Sequence, residues 1–314
     1  MVLLPAGSKD NQMIVKKIDM HMHCSDIDEY NVTNKSIHFA TPLDVRKMYD
    51  ILGVEKGLVL PGGASPECGT NAMSTREVRE MVKKNPQTIG WWYVSVDPRN
   101  IKNSPESDFT PLLMHYKSQG ARGISELTAN MNLDDPKMLN FFHHCEKCNM
   151  PVILHFGKSG TGYGVVDDLH LPRLDKVLTM FPNLTIMGHS MAFWSEFGSD
   201  VTDENRYDYL SGPIFKPGAV FYLMKKHRNL VADLSAMSGY SAMLRSPELT
   251  YGFLEEFADS IIYATDIAAS NWIDMPQAKL SQFLDEAVQN KRISQGTYEK
   301  ICRKNALRIL EENN

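Results

Sequence analysis

The sequence predicts an α/β protein of the (β/α)8, or TIM-barrel, class, on three observations. Eight short apolar segments alternate with helical ones along 314 residues, a length that such barrels routinely reach as a single unit. Most of these segments are apolar throughout, which marks strands of a parallel sheet covered on both faces. No glycine fingerprint for a dinucleotide follows an early strand, which counts against an open doubly wound sheet. The expectation is one barrel domain over residues 1–314.

Each element has its own signal. Lys16-Lys17-Ile18-Asp19-Met20-His21-Met22-His23-Cys24 reads as the first strand, with two imidazoles at its far end. Thr41-Pro42 is an N-cap followed by proline at the first helical position, and that helix runs through Met48 and Leu52 to Gly53. Gly57 to Leu60 is the second strand, Thr75 to Lys84 a polar helix, and Ile89 to Val96 the third strand, stopped at Asp97-Pro98. Thr110-Pro111 opens a helix that Gly120 ends, and Gly123 to Leu127 is the fourth strand. Asp135-Pro136 opens a helix to Cys148; Pro151 to Phe156 is the fifth strand and Leu171 to Phe181 a helix. Leu184 to His189 is the sixth strand. Val220 to His227 is helical, Leu230 to Leu234 is strand seven, Pro247 to Ala258 helical and Ile261 to Asp266 strand eight. Pro276 to Leu310 closes the chain as two helices. Between strand six and its helix lies a long insertion, 192–218, with Trp194, Phe197, Tyr207, Tyr209 and Phe215 and no clear periodicity. Loops of this length serve as lids or interaction surfaces, and a contact within a homo-oligomer is the other expected use.

Composition narrows the function. A formal net charge of −5, with no run of Lys and Arg among aromatics, argues against nucleic acid or an anionic membrane as partner. Five cysteines scattered at 24, 68, 145, 148 and 302 do not form a secreted disulfide framework. Met1 to Pro5 is too short an apolar run for a signal peptide, and no later run approaches membrane-spanning length. The expected compartment is the cytoplasm.

In a barrel, function gathers where strands end. His21 and His23 end strand one, His155 strand five, His189 strand six and Asp266 strand eight. Alternation puts His21 and His23 on one face, with Met20 and Met22 packing on the other. A lone His-x-His equals a chance surface pair, and His155 alone would read as a satisfied core histidine. Joint occurrence at four strand ends is hard to explain by packing, and a site for a divalent metal is the economical account. Glu126 on strand four reads as a salt-bridged neighbour of the site. Cys24 is read as a packed thiol, and Cys145, Cys148, His143 and His144 as packing and surface residues, since no second cysteine pair closes a tetrahedral site. Lys158 with Gly160, Gly162 and Gly164 reads as a flexible loop after His155 that could cradle an anion.

The pieces Ile18-Asp19-Met20-His21-Met22-His23, Leu133-Asp134-Asp135-Pro136, Leu154-His155-Phe156-Gly157, Met187-Gly188-His189-Ser190, Ala264-Thr265-Asp266 and Asn305-Ala306-Leu307-Arg308 come in an order that resembles the amidohydrolase superfamily. Within it, the resemblance is to the branch of aminocarboxymuconate semialdehyde decarboxylase and its hydrolase relatives. It implies His21, His23, His155 and Asp266 as metal ligands, with zinc first and manganese or another transition metal as alternatives. It implies His189 as a catalytic group beside the metal, or as a ligand to a second ion, and for Glu126 the alternative of a carboxylate bridging two ions. The implied activity is hydrolysis of a small, carboxylated amide or lactone by a metal-activated water, with Asp266 moving the proton. Non-oxidative decarboxylation of an aromatic or muconate-like acid is the alternative, and a binding barrel without turnover ranks third. The expected partner is a small anion, met by Lys158, Arg206, Lys216 and Arg245 in an otherwise acidic chain, with Trp194 nearby.

Overall fold

The computed structural model describes residues 13–27, 38–64 and 73–311. Its eight strands are β1 (Lys17–Met22), β2 (Val54–Val59), β3 (Ile89–Val94), β4 (Ala121–Leu127), β5 (Val152–His155), β6 (Ile186–His189), β7 (Leu230–Asp233) and β8 (Ile261–Ile262). They pair in that order, each pair parallel. The circle closes where Met20 N donates to Tyr263 O at 3.2 Å and Asp266 N to His21 O at 2.8 Å. This is the (β/α)8 barrel expected from the alternating pattern. Strand eight is shorter than expected, Ile261–Ile262, although the chain beyond it stays beside β1 through the Met22↔Ile267 bridge and His23 N→Ile267 O at 2.7 Å; Asp266 has a left-handed backbone, φ 58°.

The helices between strands start as their caps dictate. Helix α1 (Pro42–Leu52) carries a capping box of Thr41 with Asp44, and α2 (Thr75–Lys84) one of Ser74 with Glu77. Helices α3 (Thr110–Ser118) and α4 (Pro136–Lys147) both carry proline in their first turn. Helix α5 (Pro172–Met180) precedes β6, after which come the short α6 (Met191–Trp194) and α7 (Ala219–Lys226). One helix, α8 (Ala236–Leu244), was not expected from the sequence, because small and polar residues with Gly239 inside make a poor helical pattern. Its glycine is required by packing, since a Cβ at Gly239 would overlap the Leu234 carbonyl. Helix α9 (Pro247–Glu256) leads to β8, and α10 (Lys279–Gln289), α11 (Gln295–Glu299), a π-turn (Lys300–Lys304) and α12 (Asn305–Glu311) finish the chain. No helix among the described residues is long and apolar enough to cross a membrane.

The barrel interior is a cluster of Ile18, Met20, Leu58, Leu60, Tyr93, Ile153, Met187, Val231 and Ile262, with Ile309 and Leu310 of α12 packed onto it. Met22 instead joins the larger cluster between sheet and helices, which holds Val59. The expectation that Met20 and Met22 share a face is therefore corrected. Between the pairs Asp19↔Gly57 and Met22↔Val59 the register advances three residues on β1 against two on β2, a bulge that changes the phase of the strand. The same count occurs in β4, where Ile124↔Val152 and Leu127↔Leu154 bracket Glu126. Both bulges lie at the rim, where they re-aim His21 and Glu126 beyond the apolar interior.

Candidate metal centre

Four imidazoles and three carboxylates meet at the C-terminal ends of the strands. Adjacent strands set the first relation, since His155 and His189 are register partners on β5 and β6. Glu126 sits among all four rings. Its Oε1 lies 2.8 Å from His155 Nδ1, 3.4 Å from His189 Nε2 and 3.7 Å from His21 Nε2, and its Oε2 3.3 Å from His23 Nε2. Asp266 Oδ1 lies 3.6 Å from His23 Nε2 and 3.7 Å from His21 Nε2.

The far side of three of the rings is held by the protein. His21 Nδ1 meets Asp233 Oδ2 at 2.7 Å, both side chains fully buried. His23 Nδ1 donates to the Leu60 carbonyl at 3.2 Å, and Ser235 Oγ meets His189 Nδ1 at 2.9 Å. Asp233 is itself fixed by the Ser235 N–H at 2.8 Å. With Nδ1 of His21 and His23 so engaged, loss of the Nε2 proton would leave each ring a lone pair directed at the centre. His21 Nε2 is buried with no hydrogen-bond partner. An orphaned imidazole nitrogen facing two carboxylates is what a divalent cation would satisfy, so the donor set fits a metal.

Ligand atoms within 4.8 Å of one another form the groups His21, His23, Asp266 and Glu126, His155, His189. The structure thus places His155 with Glu126 and His189, apart from the other three residues named with it in the sequence. His21, His189 and Asp233 make a third such group.

Charge is finely set here. Burial works against an imidazolium at His21, but Asp233 and Glu126 outweigh it and hold this group well above its ordinary pKa. Burial also penalises the Glu126 carboxylate, yet the charge on His21 and the hydrogen bond from His155 hold it well below the usual range. Burial, with the repulsion of Glu126 and Asp233, raises Asp266 against the pull of His21 and His23. For His189, burial and then the charge on His21 bring the pKa down to about 3, so this ring is neutral at physiological pH.

Behind the centre, Asp19 ties β1 to the end of β8. Its fully buried carboxylate accepts from His21 N (3.1 Å), Thr265 N (2.9 Å), Thr265 Oγ1 (2.6 Å) and Tyr49 OH (2.7 Å). This clamp fixes the backbone on both sides of His21 and Asp266. Asp19, Asp233, Ser235 and Thr265 were not singled out in the sequence. Asp233 had a usable signal, since it ends the apolar strand Leu230-Val231-Ala232 at the position where β5 and β6 carry histidines. Asp19 had none, because a carboxylate inside β1 reads as a strand edge.

The expected substrate-binding residues are dispersed. Trp194 is buried among Phe193, Phe197 and Phe253, and its Nε1 donates to Asp233 O at 2.9 Å, so it supports the end of β7. Arg206 is buried, giving Nη1 to Asp167 O at 3.2 Å with Glu196 at 3.9 Å. Arg245 pairs with Asp200 and donates to Gly212 O. Lys158 is exposed, its Nζ 5.9 Å from the Tyr207 ring centre. The insertion that carries Arg206 is closed at its base by the Gly198↔Pro217 bridge and Ser199 N→Lys216 O. Cys24 packs its thiol on Met81 Sδ, Cys145 and Cys148 are buried, and Cys68 lies outside the described residues.

No protein-family model and no curated protein matches the sequence. Solved structures do match over nearly the whole chain. A 2,6-dihydroxybenzoate decarboxylase in complex with 2,6-dihydroxybenzoate superposes with TM-score 0.58 at 13% identity, over 95% of this chain and 100% of that one. A zinc-bound amidohydrolase from Burkholderia multivorans gives 0.56 at 10% identity, over 94% and 99%. A 5-carboxyvanillate decarboxylase from Sphingomonas paucimobilis gives 0.56 at 14% identity, over 95% and 99%. At such identities the likeness is one of fold: the chain has the (β/α)8 barrel of structures named amidohydrolases and decarboxylases.

Proposed function

We propose that the protein is a metal-dependent enzyme of the amidohydrolase superfamily that hydrolyses a small carboxylated amide or lactone. The buried, unpartnered Nε2 of His21, facing Glu126 and Asp266 at 3.7 Å each, is the observation that carries this reading. His21, His23 and Asp266 would hold a divalent ion, zinc first. Glu126, His155 and His189 offer a second donor group, with Glu126 also 3.7 Å from His21 and 3.3 Å from His23 of the first. When bound, such an ion lowers the pKa of water to about 7 and polarises a carbonyl oxygen.

The chain's own groups would do the rest. Asp266, raised by burial, takes the proton of the water that attacks the carbonyl carbon and hands it to the departing nitrogen or oxygen. Asp233 keeps the His21 ring from rotating, and Ser235 does the same for His189. With Ser235 donating to Nδ1, the His189 Nε2–H is free to bind a developing oxyanion; in the other tautomer Nε2 is a ligand. Metal content and turnover of His189→Asn on one preparation separate the two roles. Decarboxylation is the second reading, favoured by the names of two of the three structures above. The same cationic centre would then bind the carboxylate that leaves.

The test is a panel of lactones, carboxylated amides and aromatic acids, followed separately for ring or amide opening and for carbon dioxide. Metal-loaded wild type should open at least one substrate and His21→Ala none. Turnover that survives both chelation and His21→Ala would sink the proposal.

A further inference from the structure

The segment after β5 is glycine-rich, which the sequence presents as flexible, yet Gly157 and Gly164 serve close backbone packing. A Cβ on Gly157 would overlap the Tyr163 carbonyl, and one on Gly164 would meet Gly157 Cα at 2.6 Å. Gly160, Gly162 and Gly164 have φ values of 80°, 80° and 86°. The base is a Phe156↔Val165 bridge, with Val165 N→His155 O at 2.7 Å, Gly157 N→Val165 O at 2.9 Å and Gly164 N→Thr128 O at 2.9 Å.

A single side chain from the β4–α4 connection staples the turn. Asn130 Nδ2 lies 3.0, 3.3 and 2.8 Å from the carbonyls of Lys158, Tyr163 and Gly164, and its Oδ1 accepts from Gly160 N at 2.8 Å. This sets Tyr163 beside the centre and Lys158 at the foot of the same turn, facing the insertion. The Tyr163 ring stands edge-on to His155, centres 4.7 Å apart, and is 41% exposed. Lys158 reaches across to the Tyr207 ring of the insertion and has no ion pair among the described residues, whereas Arg206 and Arg245 are taken up by Glu196 and Asp200.

We propose that residues 157–164 are a preformed recognition lip in which Lys158 binds the carboxylate, and Tyr163 the planar body, of an aromatic or unsaturated acid. Asn130 is its positioning residue. The inference deepens the reading above and rests on it for which acid is turned over, but the lip can be tested without turnover. Its ordering is built into the free protein, so little is lost when a ligand docks.

The probes are benzoate and its neutral counterpart benzamide, titrated into the protein by ligand-observed NMR, as purified and after chelation. Wild type should bind benzoate more tightly than benzamide. Lys158→Ala should weaken benzoate about tenfold or more and leave benzamide unchanged, the size of one lost hydrogen bond to a charged group. Tyr163→Ala should weaken both about three- to tenfold. Asn130→Ala should lower the preference for benzoate at unchanged melting temperature and metal content, with faster amide exchange in 158–164. Equal binding of the two probes by wild type, or a Lys158→Ala protein that keeps the preference, would overturn the lip. Absence of metal with the Lys158 effect intact would remove the metal-centre reading and support the lip. Lys158→Ala, at an exposed position, keeps the test decisive if Asn130→Ala does not fold.

Discussion

Asp233→Asn isolates what the protein adds beyond the donor atoms themselves. Asp233 Oδ2 meets His21 Nδ1 at 2.7 Å with both groups removed from water, so no solvent can replace the contact. An amide in its place sets an N–H against either His21 Nδ1–H or the Ser235 N–H, which now points at Oδ1 from 2.8 Å. One of the two donors is left facing a donor, and the His21 ring is free to turn its Nε2 away from the centre. Loss of such an outer partner lowers metal affinity by about 10- to 100-fold, or about 1.4 to 2.7 kcal/mol. Full burial of the pair puts the expected change at the upper end. The fold should survive, since Trp194 Nε1 still holds the Asp233 carbonyl and β7 pairs through its backbone. The assay is competition for zinc against a chromophoric chelator at neutral pH, with Asp233→Ala as the limiting case. An Asn variant within twofold of wild type would refute the claim that Asp233 orients His21.

Three further outcomes follow from the same geometry. Asp19→Ala leaves the Tyr49 hydroxyl, Thr265 N–H and hydroxyl and His21 N–H without their acceptor, and should lower stability by at least about 3 kcal/mol in urea titration. Glu126→Gln removes the charge shared among the four rings, and elemental analysis should find less metal than in wild type at unchanged far-UV dichroism. Burial lifts the Asp167 carboxyl from 3.8 to about 6 despite hydrogen bonds from the Arg173 and Leu174 amides. The native state therefore holds this proton more tightly than the unfolded chain. Its contribution is present below about pH 4 and is lost as pH rises through about 6, up to about 3 kcal/mol over that window. The urea midpoint of Asp167→Asn should lack that part of the wild-type slope between pH 4 and 7.

The barrel was legible because its strands are buried on both faces and therefore read as apolar runs, and because Thr-Pro and Asp-Pro starts mark the helices. The histidines were legible for a related reason: a polar residue at the end of an apolar strand has few uses other than a site. What escaped the reading depends on contacts between distant segments. The bulges in β1 and β4 add one residue without any compositional mark, yet the one in β1 separates Met20, in the barrel interior, from Met22, in the layer between sheet and helices. Helix α8 forms in a weak helical pattern because tertiary packing outweighs propensity there. The glycines after His155 suggested motion, while Asn130, about thirty residues earlier, converts the same glycines into a fixed turn. Arg206 and Arg245 carried the right charge for an anion, but their partners Glu196 and Asp200 lie where local sequence gives no hint of pairing.

The central claim is that the histidine-rich strand ends bind a divalent metal. Elemental analysis of wild type and His21→Ala, each stripped, reloaded with zinc and desalted, tests it most directly. Wild type should hold at least one zinc per chain, and His21→Ala should lose most of it at unchanged far-UV dichroism. Sub-stoichiometric zinc in reloaded wild type, or equal zinc in the two proteins, would contradict it.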